Sequence, residues 1–348
     1  MFSYTLEDVS TLLRKYGMNA SLLKVEELQK YDDDDEDGQL RVIVKVTLDG
    51  FPPLVVKIKD DRDVSETVFE SQCRFSETLA ESGIPTARIL PVAGENQFVL
   101  RAQIDGRAVF VTEEAFMENE VRFVDVETAE KMGALLARSH NVSEERECHV
   151  PNRVLFDPFE DNELFSALEF LSLSDRLAGE NLFLHRQIAE EYRRIMAELG
   201  PLRLRPRYAV QGDISMCNCF FMSDGGIGFF DFNNAGDCVL FCDAVMQGFF
   251  VARQMEYPLD RSFSDEDLVN AFFRGYCSVR PFNEEDKRFY PLLRAVIDAF
   301  WADDIGWSSD NGWSPCKPEA LFAAVERGDS QAVRQKLEEI QRKLTKHK

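Results

Sequence analysis

One thirty-residue stretch leaves this chain few folds to choose from. It reads Tyr208-Ala-Val-Gln-Gly-Asp-Ile-Ser-Met-Cys-Asn-Cys-Phe-Phe221 and, after a turn, Gly226-Ile-Gly-Phe-Phe-Asp-Phe-Asn-Asn-Ala-Gly-Asp237. Two short apolar runs, Tyr208–Val210 and Cys219–Met222, bracket a polar loop. Ser223-Asp-Gly-Gly226 has turn chemistry, and a third run, Ile227–Phe230, ends on Asp231. The pattern predicts a loop feeding a β-hairpin that presents two carboxylates, Asp213 and Asp231, and one amide, Asn218. Phosphoryl transfer uses such a set. One Asp accepts or orients the attacking hydroxyl, and an Asn and a second Asp hold Mg²⁺ against the phosphates. The plainer alternative is a polar hairpin whose Asp and Asn serve only its turns.

Upstream, Leu23–Tyr31 and Leu40–Leu48 read as strands joined through Asp32-Asp-Asp-Asp-Glu-Asp-Gly38, and Leu54–Lys59 as a third strand set off by Gly50-Phe-Pro-Pro53. Lys57 and Lys59 share one face of that strand, where a lysine is ordinarily a snorkelling surface residue. A helix is expected over residues 63–82, with Phe69, Phe75 and Leu79 among its apolar positions and Gly83 just past its end. Further helices are expected over Glu127–His140, from Cys238 to Met255, from a Ser264 cap through Tyr276, over Asn283–Trp301, and as a pair within residues 317–348. His140 at a helix end is either a ligand or base, or a packed group. Trp301, Asp303, Asp304, Trp307, Asp310 and Trp313 gather aromatics and acids that suit an amine by cation–π and ion-pair contact, and equally suit packed Trp beside solvated Asp.

The Gly212-Asp213-x-x-x-x-Asn218 loop followed by Phe229-Phe230-Asp231 resembles the aminoglycoside phosphotransferases and choline kinase-related small-molecule kinases. Gln211 stands where that family usually has His, and Asn233 where a second Asp is common. Gly83-Ile-Pro-Thr-Ala-Arg88, the Met132-Gly133 helix and Phe272–Tyr276 resemble other family segments. The resemblance implies that Asp213 is the catalytic carboxylate, that Asn218 and Asp231 hold the metal, and that Lys57 pairs with the nucleotide phosphates. It also implies a carboxylate partner for Lys57 on the following helix, for which Glu70 is chosen over Glu66 and Glu77. Val109–Phe116 resembles the strand-to-hinge segment whose backbone meets the adenine, with Glu113 and Ala115 as the register. Asp243 resembles a family Asp that braces the core.

Composition narrows the remaining classes. A net charge of −22 argues against nucleic acid and anionic membrane as partners and would draw a cationic acceptor. No apolar run reaches the roughly 20 residues of a membrane helix, and the first residues lack a basic region followed by an apolar one, so a cytoplasmic protein with reduced cysteines is expected. Cys217-Asn-Cys219 and Cys238-x-x-x-Cys242 lack zinc-knuckle spacing and read as small buried side chains. The six acids of 32–37 would repel a triphosphate unless turned away or met by Mg²⁺.

The expected architecture is α/β (α+β), a protein kinase-like two-lobed fold. Residues 1–112 form a nucleotide-binding lobe of antiparallel sheet, 113–116 a hinge, and 117–348 a mainly helical catalytic and acceptor lobe with terminal helices. The resemblance implies an O-phosphotransferase that uses ATP or GTP with Mg²⁺ on a hydroxyl of a small molecule, aminoglycoside-like or an amino alcohol. A second reading is a nucleotide-binding regulator of the same fold with little or no turnover, drawn from Gln211, Asn233 and the acidic run. A protein-directed kinase is disfavoured, because Asp231-Phe-Asn is followed within a few residues by the next helix, leaving no room for an activation segment.

Overall fold

Period-two alternation organises the first third of the chain. The computed structural model describes residues 2–31, 39–160, 162, 164–253, 262–307 and 320–346. The acidic run 32–37, Asp310 and Trp313 lie outside these residues. Helix α1 (Leu6–Lys15) starts at a capping box in which Thr5 and Asp8 satisfy each other's backbone N–H. Strands β1 (Leu22–Tyr31), β2 (Arg41–Leu48) and β3 (Leu54–Asp60) precede helix α2 (Glu66–Glu81). Strands β4 (Ile89–Leu90), β5 (Leu100–Ile104) and β6 (Arg107–Ala115) complete an antiparallel sheet in the order β1-β2-β3-β6-β4, with β5 also on β6.

Each face of this sheet has its own chemistry. Val42, Val44, Val46, Val56, Ile58, Val109 and Val111 form one face, which Val9, Leu12 and Leu13 of α1 and Tyr16 just past its end cover. The pairings Arg41↔Lys59, Ile43↔Lys57 and Lys57↔Thr112 put Arg41, Lys45, Lys57, Lys59 and Glu114 on the opposite face. Burial of the valine face stabilises the sheet, at roughly 1.5–3 kcal/mol for each fully buried aliphatic side chain. It thereby fixes where the cations of the other face point. A one-residue slip of β3 would exchange the two sets.

The expected hinge at 113–116 begins too early. Glu113 and Glu114 lie within β6, paired on one side with β3 and on the other with β4, and Leu54 still pairs with Ala115. The sheet ladder therefore runs through Ala115, and the chain leaves it only after Phe116, whose N–H donates to the Pro53 carbonyl.

Beyond this link come α3 (Val126–Glu145), α4 (Ala167–Ser172), α5 (Gly179–Glu198), β7 (Tyr208–Val210), β8 (Cys219–Phe221), β9 (Ile227–Phe229) and β10 (Gly236–Cys238). Helices α6 (Leu240–Arg253), α7 (Asp265–Val279), α8 (Glu284–Ala299), α9 (Leu321–Glu326) and α10 (Ser330–Thr345) follow. One core joins them, including Leu136, Ile214, Phe229, Val245, Phe272 and Phe300. Helices α3 and α7 meet backbone to backbone. A Cβ on Gly275 would lie 1.8 Å from the Glu130 carbonyl oxygen, and one on Gly133 would lie 2.0 Å from that of Phe272. The expected hairpin is β8–β9, with Cys219 opposite Phe229. A second pair, β7–β10, clamps the loop between them, with Val210 opposite Gly236.

Candidate active site

The loop between β7 and β8 is held by side-chain amides. Gln211 is fully buried; its Oε1 accepts from the Asp213 N–H at 2.8 Å and its Nε2 donates to the Asp231 carbonyl at 2.9 Å. One Gln thus ties the first carboxylate residue to the second through a neutral amide. Gly212 has φ +82°, and a Cβ there would stand 2.5 Å from the Asn234 carbonyl oxygen, so only Gly fits. Asn234 in turn donates from Nδ2 to Asp213 Oδ2 at 3.0 Å. Burial pushes the Asp213 carboxyl above its ordinary value, against the hydrogen bonds from Asn234 and Ser215.

Asn218 is bonded to this carboxylate residue directly, and Asp231 is linked to it through Gln211. Asn218 Nδ2 donates to the Asp213 carbonyl at 3.0 Å, and its own carbonyl accepts from the Phe230 N–H at 3.0 Å. Asp231 has φ +58°, a left-handed conformation that costs a non-glycine residue about 1–2 kcal/mol and is common at functional sites. Its carboxylate meets Arg41 Nη2 at 2.9 Å and Lys57 Nζ at 3.6 Å. Burial works to raise the Asp231 carboxyl, and Lys57, Arg41 and Lys59 together outweigh it and hold the group below the usual carboxylate range. Asn218 and Asp231 offer an amide and a carboxylate oxygen, the hard donors Mg²⁺ takes, and Mg²⁺ keeps waters and phosphates as its remaining ligands. The pair fits such an ion.

Lys57 comes to this site from β3, but its expected partner does not. Glu70 accepts from the N–H groups of Phe98 and Val99 at 2.8 and 3.0 Å and lies 2.7 Å from Arg74. The rivals are also taken, Glu66 by Arg101 and Glu77 by Arg88 and the Ile89 N–H. The carboxylate on Lys57 is Glu114, at 2.8 Å. It reaches Lys57 across the β3–β6 ladder because both side chains lie on the cationic face, while the register of α2 turns its own acids away. Burial works against the Lys57 charge; Asp231 and Glu114 more than restore it, so its pKa is raised.

Glu113 and Ala115 are not at an open hinge. The Ala115 N–H donates to the Arg88 carbonyl at 2.8 Å, so it has no hydrogen to give a base. Glu113 points into the α1 side of the sheet, fully buried, with neither carboxylate oxygen hydrogen-bonded, and burial pushes its pKa up to about 8.

Four contributors went unforeseen. Arg41 and Glu114 lie on the lysine face by simple alternation, a signal present in the sequence once strand pairing is known. Lys59 Nζ donates to Asn233 Oδ1 at 2.6 Å and lies 4.8 Å above the Phe69 ring, with burial pulling its pKa down to about 8. Gln72 of α2, also buried, donates to the carbonyls of Asn233 at 2.7 Å and Ala235 at 3.1 Å. No periodicity marks this last contact, because it joins residues 161 and 163 positions apart.

Other candidates resolve as structure. His140 is wholly buried between the Tyr276 hydroxyl at 2.9 Å and Asp243 Oδ2 at 3.0 Å, the packed outcome. Asp243 is further joined to Gln247, whose Oε1 accepts the Ile214 N–H, so this buried chain braces the residue after Asp213. In the aromatic and acid cluster, Trp301 is buried under the Arg253 guanidinium and Asp304 is paired with Lys343 at 2.7 Å. Among the described residues no three His, Cys, Asp or Glu side chains gather as a metal site, and no helix is long and apolar enough to cross a membrane.

No protein-family model and no curated protein matches the sequence. Solved structures do match its fold. A microcompartment-associated aminopropanol kinase is 13% identical over 99% of this chain and 98% of its own, with a TM-score of 0.59. An amicoumacin kinase bound to AMP-PNP and Ca²⁺ is 14% identical over 97% and 96%, with a TM-score of 0.54. A spectinomycin phosphotransferase bound to ADP and spectinomycin is 12% identical over 99% and 94%, with a TM-score of 0.51. From end to end, this chain has the two-lobed fold of the small-molecule kinases.

Proposed function

We propose that this protein transfers the terminal phosphoryl group of ATP or GTP to a hydroxyl of a small amino alcohol or aminosugar. The observation that carries this reading is the convergence of Lys57 of β3 and Asp231 after β9, next to a loop that holds Asp213 and Asn218 in one hydrogen-bonded unit. Asn218 and Asp231 would hold Mg²⁺, which supplies neutralisation of phosphate charge. Lys57 binds phosphate oxygens, kept charged by Glu114 and Asp231. With Ala115 engaged in the sheet, the backbone contacts to the base fall to residues after Phe116. Asp213 orients the acceptor hydroxyl and takes its proton as the new oxygen–phosphorus bond forms and the bond to the departing nucleoside diphosphate breaks. Its raised pKa makes it a better proton acceptor than an exposed carboxylate, and positioning with charge neutralisation supplies most of the rate.

The test is a phosphate-transfer screen over amino alcohols, choline-like amines, aminoglycosides and sugars, with ATP and GTP compared and Asp213→Asn as control. Nucleotide at about 100 times its dissociation constant stabilises the wild type and Asp213→Asn alike, by roughly 2.7 kcal/mol. Transfer falls on the order of 10²–10⁴-fold in the variant. Wild-type transfer by Asp213→Asn removes the catalytic assignment. Nucleotide binding with no transfer to any acceptor leaves a regulator of kinase fold.

A further inference from the structure

Strands β2 and β3 carry four cations on one face, each held differently. Lys45 lies 3.7 Å above the Phe116 ring, Lys57 is buried against Glu114 at 2.8 Å, and Lys59 donates to Asn233. Arg41 instead places Nη2 2.9 Å from Asp231 Oδ2, so a guanidinium occupies one oxygen of a candidate metal ligand. Mg²⁺ takes such an oxygen at about 2.0–2.1 Å. At that range a guanidinium and a divalent ion repel each other unless an anion stands between them. Arg41 is the contact that can give way. Its side chain is 32% exposed, against 7% for Lys57, and it starts β2, opposite Tyr31 at the end of β1. Asp231 does not depend on it for position. The Asp231 carbonyl accepts from Gln211, its Oδ1 accepts from the Asn233 N–H at 3.3 Å, and Asn233 is itself held by Lys59 and Gln72.

Resting on the nucleotide-binding reading above, we propose that Arg41 keeps the place of a divalent ion at Asp231 and yields it only to an ion that arrives with nucleotide, the guanidinium then passing to phosphate oxygens. Arg41 and Lys57 take the two oxygens of one carboxylate, so phosphate held by Lys57 beside Asp231 comes within reach of Arg41. A guanidinium binds phosphate through two parallel N–H donors, a firmer hold than the single Nη2 contact to Asp231. An ion without nucleotide offers Arg41 no such anion, and at Asp231 it meets both Arg41 and Lys57. Metal and nucleotide therefore bind with positive coupling, equal in both directions by linkage. Arg41 thereby keeps bare metal from the site in a protein whose net charge of −22 would otherwise attract it.

The probes are Mn²⁺ alone and Mn²⁺ with AMP-PNP or GMP-PNP, followed by electron paramagnetic resonance for free Mn²⁺ and by calorimetry for nucleotide. Arg41→Met should move two affinities in opposite directions. Mn²⁺ alone should bind about tenfold more tightly, and nucleotide with Mn²⁺ about tenfold more weakly. Arg41→Met/Asp231→Asn should lose the gain in Mn²⁺ binding, which separates Asp231 from the many other acids of the chain. Melting without ligand reports the fold, and Arg41→Gln replaces Arg41→Met if the latter does not fold. Either affinity unchanged in a folded variant, or a Mn²⁺ gain that survives Asp231→Asn, overturns the proposal and leaves the nucleotide site standing. Failure of the wild type to bind either nucleotide with Mn²⁺ overturns the nucleotide site and this proposal with it.

Discussion

Glu113 should make this protein lose stability as pH rises through neutrality. Its carboxyl lies under α1 in an apolar layer, fully buried and with no hydrogen-bond partner for either oxygen, and burial lifts its pKa from an ordinary 4.5 to about 8. The unfolded chain therefore gives up this proton near pH 4.5 and the folded chain only near 8. Between those values the native state holds more protons, so its stability falls as pH rises. At about 1.4 kcal/mol per pH unit, the loss by pH 7 is about 3 kcal/mol relative to pH 4.5. Glu113→Gln keeps the shape and removes the titration. A neutral acid and an amide are both buried without partners here, so the two proteins should melt alike near pH 5. At pH 7 the variant should be more stable by about 3 kcal/mol, which for a cooperative unit of this size raises the melting temperature by about 4 °C. The assay is thermal melting by circular dichroism from pH 5 to 8 for both proteins. Parallel pH profiles would show that Glu113 is ionised in the fold, and would refute the reasoning.

Gly275→Ala should cost about 3 kcal/mol or more, because the new Cβ meets the Glu130 carbonyl and forces α3 and α7 apart; a wild-type denaturation midpoint would contradict the close backbone contact. Gln72→Leu leaves the Asn233 carbonyl without its donor and the Ala235 carbonyl with Asn152 Nδ2 alone, at roughly 1–3 kcal/mol of stability. Because Asn234 between them orients Asp213, the same variant should lose transfer about tenfold or more while keeping nucleotide-induced stabilisation within a few tenths of a kcal/mol; equal loss of both would make Gln72 merely structural.

Local chemistry sufficed for much of this site. The turn glycines, short apolar runs and acid-amide-acid spacing of 208–237 predicted the β8–β9 hairpin and the neighbourhood of Asp213, Asn218 and Asp231, since all three lie within one local unit whose shape follows from period and turn residues. Alternation likewise placed Lys57 and Lys59 on one face of β3. What alternation could not say was which distant strand or helix would meet that face. For Lys57 the sequence offered Glu70, with Glu66 and Glu77 as rivals on the same helix, and only the packing of α2 showed all three engaged elsewhere and Glu114 in their place. The end of β6 was likewise set by its neighbours: Ala115 stays in the sheet because β3 and β4 offer partners there, not because of its own side chain. The contacts of Arg41 with Asp231, Lys59 with Asn233 and Gln72 with the same segment each span more than 150 residues. Such contacts are decided by how the two lobes pack, a property no local pattern encodes.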